Sequence, residues 1–190
     1  MDELRRADYQ LLINASHPFA NKLSHHAFAA AGVLGIPHLR LLRPPWVATP
    51  ADRWYEVATL DDASGRVARL QPQPQRVFLS VGRFGAKAFA ALHTIHFIVR
   101  AIATDETVPI PGATVIEGRG PYTIDGESQL LRDHHIDLVV TRNSGGSATA
   151  AKLTAAQQLG LPVLMVRRPQ DPPGEQAQDV AEALAWAEER

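Results

Sequence analysis

The stretch VTRNSGGSATAAKL, Val140 to Leu153, joins two kinds of sequence through a pair of glycines. Upstream, Asp137 to Thr141 is a short apolar run of the kind that forms a buried strand. Downstream, Ala148 to Leu159 is rich in helix formers and stops at Gly160 and Pro162. The unit is therefore a strand, a tight turn and a helix. Such a turn leaves the first helical N–H groups without intrahelical acceptors and sets the positive end of the helix dipole behind them, so an anion can bind there. The same residues also read as a simple helix start capped by Ser147 or Thr149. Spacing alone does not separate the two readings.

Apolar runs alternate with helical patterns over the rest of the chain. Gln10 to Ala15, Pro37 to Leu42, Arg76 to Val81, His96 to Ile102, Thr114 to Ile116, Asp137 to Thr141 and Pro162 to Val166 read as strands. Lys22 to Gly35, Ala86 to His93, Ile124 to His134, Ala148 to Gly160 and Glu175 to Glu188 read as helices. Repeated strand–helix order predicts an α/β fold with parallel sheets. The polar segment QPQPQ, Gln71 to Gln75, precedes a fresh strand and predicts a boundary between an N-terminal lobe, residues 1–71, and a C-terminal lobe, residues 76–190. Met1 to Asp8 reads as the last turns of a helix feeding the strand at Leu11 to Ile13, so the first lobe is expected to be incomplete at its N-terminus.

Bulk composition narrows the function classes. The chain has 190 residues, 45% hydrophobic, with a formal net charge of -1, which permits a sizeable core and does not mark a polyelectrolyte. No apolar run reaches the length of a membrane span and no signal-peptide pattern opens the chain, so a cytoplasmic protein is expected. The absence of cysteine excludes disulfides, thiolate nucleophiles and Cys-ligated clusters. His25-His26 and His134-His135 are adjacent pairs that point to different helix faces, so no metal site is expected.

Arginines recur at strand ends. Arg43, Arg83, Arg100, Arg119, Arg142, Arg167 and Arg168 each close or follow a predicted strand. Ligands of parallel α/β sheets lie at the carboxyl ends of the strands. Guanidinium groups bind carboxylate and phosphate bidentately, so this array points to a ligand with several anionic groups facing one cleft. Nucleic acid is not expected, since there is no Lys/Arg stripe and no recognisable nucleic-acid module. VFLSVGRFGAKAF, Val77 to Phe89, is a second strand–turn–helix, with Gly82 and Gly85 in a loose variant of the dinucleotide fingerprint. The end of the next strand, which in that arrangement reads the cofactor ribose, carries Arg100, and this predicts NADPH over NADH. NASHPFANKLSHHA, Asn14 to Ala27, is a third such turn; Pro18 suits the first helical turn, and Ser16 or His17 suits its cap. His17 at a strand's carboxyl edge could also serve as a proton donor.

ASHPFA, RLLRPPW, SVGR, GRGPYT, VTRNSGG followed by Thr149 and AKL, and VRRP, in that order, resemble the precorrin-6A reductase family of corrin-ring biosynthesis. The match runs from about Asp8 to Pro169. The resemblance implies two Rossmann-like lobes, NADPH as cofactor, a polycarboxylated tetrapyrrole as substrate, and reduction of one carbon–carbon double bond by hydride and proton addition. It implies a cofactor and substrate cleft formed by Gly82, Arg83, Arg100, Thr141, Asn143, Ser144, Gly145, Gly146, Thr149 and Lys152. It places His17, Pro18, Phe19, Arg43 and Trp46 on an opposing wall. The strand-end Arg119 is expected toward the substrate, and the protonating group is left open among His17, a lysine (Lys152) and water. Arg142 stands where the family pattern has Lys, Phe84 replaces a polar residue, and the family's opening strand and Gly-rich turn are missing, which again predicts a truncated first lobe. A monomer or small homo-oligomer is expected. The alternative from another class is a non-catalytic module that binds nucleotide or tetrapyrrole without turnover. A phosphoryl-transfer enzyme is less well supported, because no G-x-x-x-x-G-K-[ST] loop is present.

Overall fold

A computed structural model describes residues 9–102 and 108–190, and the helical turns expected at Met1 to Asp8 lie outside them. In chain order the elements are β1 (Leu12–Asn14), α1 (Asn21–Leu34), β2 (His38–Leu41), β3 (Trp54–Val57), α2 (Leu60–Arg69), β4 (Arg76–Ser80), α3 (Gly82–Ala86), a 3-10 turn (Lys87–Phe89) and β5 (His96–Ala101). They continue with β6 (Thr114–Glu117), α4 (Ile124–Asp133), β7 (Leu138–Arg142), α5 (Ala151–Gln158), β8 (Val163–Val166), β9 (Glu175–Ala177) and α6 (Val180–Glu188). Every strand pairing is parallel, in two sheets of order β1-β2-β9 and β3-β8-β7-β4-β5-β6. The expected α/β architecture with parallel sheets is the one the chain adopts.

The chain forms two compact units, one comprising the described residues up to Pro45 together with Arg168–Arg190, the other Trp46–Arg167. This corrects the division expected at Gln71 to Gln75. β3 and α2 precede that segment yet belong with the larger sheet, because β3 pairs with β8 in the register Trp54↔Val163 to Val57↔Val166. The C-terminal segment returns to the smaller unit, where β9 pairs with β2 from Leu39↔Glu175 to Leu41↔Ala177. A Pro-rich polar segment marks a turn, and strand pairing over long sequence separation decides which unit the turn belongs to.

In the larger unit, β4, β5, β7 and β8 lie inside the sheet and their apolar runs are fully buried, with Phe78, Ile98, Val139, Val163 and Met165 in one core cluster beneath Leu131 of α4 and Leu153 of α5. The smaller unit closes around Leu39, Ala177 and Ala183, with Trp186 packed against them. Two edge strands, β3 (WYEV) and β9 (EQA), were not legible as apolar runs because β3 exposes two of its four residues and β9 two of its three. The helix expected from Glu175 starts instead at Val180, where Asp179 accepts the Glu182 N–H at 2.9 Å. The helix expected over Ala86 to His93 begins earlier, at Gly82, and gives way to the 3-10 turn. No helix among the described residues is long and apolar enough to cross a membrane.

Candidate active site

The larger sheet has one point at which chain order reverses. β4 is central, β5 and β6 extend the sheet on one side, and β7 and β8 return on the other. In such sheets a crevice opens beyond the carboxyl ends of the two strands where the order switches. Here those strands are β4 and β7, paired from Val77↔Leu138 to Ser80↔Thr141. The turns that leave them are Val81-Gly82-Arg83 and Asn143-Ser144-Gly145-Gly146, so two motifs 60 residues apart in sequence meet at one edge. A cavity of about 680 Å³ lies at the opposite, amino edge, lined by Arg53, Tyr55, Gln71, Asp137 and Pro162. It touches neither turn.

Both turns need glycine. Gly82 has φ +72°, and a Cβ built there meets nothing within 4 Å, so the backbone is bare on a side that faces open space. Gly145 and Gly146 have φ of 68° and 80°, the left-handed region that side chains avoid. At Gly85 an added Cβ would stand 2.8 Å from an Arg142 guanidinium nitrogen and 3.0 Å from Val81, so the missing side chain lets Arg142 lie across α3. Arg142 is half-buried, and that burial lowers its pKa.

Helix caps separate the motif helices from the rest. Thr59 forms a capping box with Asp62 at α2, Thr123 accepts the Gly126 N–H at α4, and Asp179 caps α6. The starts of α1, α3 and α5 carry no side-chain cap bond. Ser147 and Thr149 therefore do not cap α5, whose N-cap is Ala150. Nor do Ser16 and His17 cap α1, which starts after Ala20; the His17 ring instead accepts the Phe19 N–H at Nδ1 (3.2 Å).

Several expected site residues have other duties. Arg100 is 8% exposed and Glu127 3%; their side chains form a two-pronged ion pair at 3.0 and 2.6 Å, with the guanidinium carbon 4.1 Å from the Tyr122 ring centre and 4.9 Å from that of Phe78. Arg100, expected from the sequence to select NADPH, thus has its charge balanced by Glu127 inside the protein. Thr141 is buried, with its hydroxyl directed at the carbonyls of Ser80 and Arg142. Lys152 is also buried: its ammonium donates to the Thr149 carbonyl at 2.6 Å and sits 4.6 Å from the Trp46 ring centre. Burial, with Arg100 adding to it and Glu127 opposing it, lowers its pKa to about 8. A covered amine already bound to a carbonyl is poorly placed to hand a proton to a substrate, so the donor role expected for Lys152 is not supported.

Trp46 belongs to the larger unit and not with His17, Pro18 and Phe19 as expected. Its backbone N–H and C=O are both engaged by the Asn143 side chain, at 2.8 and 2.9 Å, and its indole N–H donates to the Gly146 carbonyl at 2.9 Å. Asn143 thus acts on the crossing segment, while its own N–H extends the sheet by donating to Val166. The GRGPYT loop closes on the same turn: the Tyr122 N–H donates to the Ala148 carbonyl at 3.1 Å, and a Cβ on Gly120 would stand 2.9 Å from that oxygen. Glu127 and Tyr122 escaped sequence reading because no local spacing announces a partner across the fold. Arg83 and the exposed Arg119 and Arg167 remain at the carboxyl edge of the sheet, as their strand-end positions require.

In the smaller unit, His17, Pro18 and Arg43 follow the carboxyl ends of β1 and β2. Ser16, Pro18, Leu42, Arg43 and Asp179 line a pocket of about 270 Å³ there. His17 and Arg43 are exposed, and the rings of His17 and Phe19 lie 6.0 Å apart. The cation that organises this edge was missed: Arg40 is 2% exposed, donates to Asp171 at 3.0 Å and to the carbonyls of Asn14 and Ser16 at 2.9 Å each. Arg168 donates to the carbonyls of Arg43 and Pro44, and burial, Arg43 and Arg40 lower its pKa against the opposing effect of Asp171. Among the described residues no group of three His, Cys, Asp or Glu could hold a metal ion.

Comparison with known proteins identifies the family. The family described as precorrin-6x reductase CbiJ/CobK matches residues 1–188. A precorrin-6A reductase of Rhodococcus erythropolis is 45% identical over 177 residues, 92% of this chain and 70% of the relative. One from Rhodobacter capsulatus is 36% identical over 98% of this chain and 73% of its own length. A solved structure, CobK precorrin-6A reductase, superposes with a TM-score of 0.91 at 36% identity, covering 99% of this chain and 74% of that one. With a family match over nearly its whole length and the sheet topology of a solved relative, this chain belongs to the precorrin-6x reductase family.

Proposed function

We propose that this chain reduces one carbon–carbon double bond of precorrin-6A, or its cobalt form, to give precorrin-6B in cobalamin biosynthesis, with NADPH as the reductant. The observation that carries the reading is the meeting of two glycine turns at the β4/β7 switch point, with Gly82 bare toward open space and Gly145 and Gly146 at positive φ. A helix start without a side-chain cap, behind a turn of this shape, is chemically suited to phosphate. A reduced nicotinamide held at these turns would supply the hydride for one ring carbon, the neighbouring carbon taking a proton.

The protein's share is binding, orientation and charge. The Asn143 to Gly146 turn and the Gly82-Arg83 turn hold the pyrophosphate, and Arg142, lying across α3, adds positive charge beside them. Selection of NADPH rests on the family resemblance and on this local cationic edge, with Arg100 excluded from that role. In the smaller unit, Arg43 and its pocket hold substrate carboxylates. With Nδ1 accepting the Phe19 N–H, the neutral His17 ring carries its hydrogen on Nε2 and can offer it as a hydrogen bond to a substrate carboxylate; as proton donor it acts in the imidazolium form, which gives up the Phe19 bond.

Gly146→Val tests the site. A side chain at φ 80° both strains the turn and fills the cradle, so NADPH binding measured by calorimetry is expected to disappear. Normal NADPH affinity in a Gly146→Val protein, at a temperature where it remains folded, would remove the turn from the cofactor site.

A further inference from the structure

The turn from Gly146 to Ala150 is held from behind by three donors. The carbonyl of Gly146 accepts the indole N–H of Trp46 (2.9 Å), that of Ala148 accepts the backbone N–H of Tyr122 (3.1 Å), and that of Thr149 accepts the ammonium of Lys152 (2.6 Å). These peptide bonds are trans. In a trans peptide the N–H points opposite to its carbonyl, so tying down one oxygen aims the next residue's hydrogen. The Gly146 carbonyl turned to Trp46 sends the Ser147 N–H away from the indole, and the Ala148 carbonyl turned to Tyr122 does the same for Thr149. The Ala150 N–H, which follows the Lys152-bound carbonyl, closes the turn by donating to Ser147 at 3.2 Å.

We infer that Trp46 and Lys152 are positioning residues: the Trp46 bond to the Gly146 carbonyl aims the Ser147 N–H at a phosphate group of the nucleotide, and the Lys152 bond to the Thr149 carbonyl fixes the Ala150 N–H on Ser147, closing the turn in which the Tyr122-bound Ala148 carbonyl aims the Thr149 N–H at the same group. The inference rests on the cofactor reading above and adds to it which amides receive the anion and which side chains point them. Trp46 is suited to the task because Asn143 holds its backbone at both ends and Lys152 covers its ring. The lysine is suited because it is buried among Arg100, Glu127 and Trp46, where its single short bond is to a carbonyl of the turn. Neither residue touches the reacting atoms in this account.

Trp46→Phe keeps a ring beneath the Lys152 ammonium and removes only the indole donor, while Lys152→Met keeps the stem and removes the charge. Calorimetric NADPH affinity is expected to fall about fivefold in Trp46→Phe, the worth of one hydrogen bond. The KM for NADPH should rise by a similar factor, with a far smaller change in kcat. Amide exchange gives the direct readout: NADPH should protect the Ser147 and Thr149 amides in the parent chain and protect them less in both variants. Trp186→Phe, which removes an indole from α6, serves as the control and should leave affinity and protection unchanged. The proposal is overturned if the two amides gain no protection in the parent, or keep full protection and affinity in Trp46→Phe. Should Trp46→Phe not fold, unchanged affinity and protection in Lys152→Met overturns it equally. Normal NADPH binding by Gly146→Val would instead remove the site reading itself, a separate result.

Discussion

Replacing Glu127 by Gln separates an internal ion pair from a cofactor contact. Both oxygens of Glu127 engage Arg100, at 3.0 and 2.6 Å, and both side chains are nearly excluded from solvent. At about 3 Å and an effective dielectric of about 20, the attraction is roughly 5 kcal/mol. Removing only the negative partner leaves a buried cation between the Phe78 and Tyr122 rings, a change that costs about 3–5 kcal/mol. Against a typical domain stability of about 5–15 kcal/mol this is a large fraction. Urea unfolding followed by far-UV circular dichroism should therefore show a markedly lower midpoint for Glu127→Gln. The double variant Arg100→Met with Glu127→Leu replaces the pair by apolar volume and should recover most of the loss, to within about 1–2 kcal/mol of the parent. The ratio of NADPH to NADH affinity should be the same in the double variant as in the parent. A Glu127→Gln variant that loses under about 1 kcal/mol would refute the structural role, and a collapse of nucleotide selectivity in the double variant would return Arg100 to the cofactor phosphate.

Two further outcomes follow from buried charge. The Lys152 pKa falls from 10.5 unfolded to about 8 folded, so the folded state binds fewer protons between those values and stability rises with pH across that window, by roughly 3 kcal/mol in all; the burial penalty is fully present below pH 8, and Lys152→Met should abolish this rise in chemical-denaturation curves taken from pH 7.5 to 10.5. Asp171→Ala leaves the 2% exposed Arg40 without its carboxylate and should lower the stability of the smaller unit by roughly 3 kcal/mol, read by amide exchange at β1 and β2, where an unchanged exchange rate would show that the carbonyls of Asn14 and Ser16 suffice.

Much of the candidate site was legible because its chemistry is local. Gly82, Gly145 and Gly146 declare themselves by residue type, since positive φ at a strand–helix junction calls for glycine. Arg83, Arg119, Arg142 and Arg167 fall on one edge of the larger sheet once all its strands are parallel, whereas Arg43 and Arg168 belong to the smaller unit. The capping box Thr59-Leu60-Asp61-Asp62 was a readable signal for α2, hidden by Gly65 and by a helix that buries only Ala63 and Val67. What each charge does was not readable. Arg100 and Arg40 look like any strand arginine until Glu127 and Asp171, 27 and 131 residues away, are brought to them.

The sequence by itself determined the strand–helix alternation, the parallel α/β class and the identity of the turns, because helix and strand periodicity and glycine stereochemistry act within a few residues. Tertiary structure decided where the units divide, because β3 joins β8 and β9 joins β2 through backbone bonds that no linker composition reports. It also brought two candidate site residues, Trp46 and Lys152, to the carbonyls of Gly146 and Thr149. A side chain's role depends on which donors and acceptors the fold leaves within about 3 Å of it, and in this chain those neighbours come from segments as distant as residues 46 and 146.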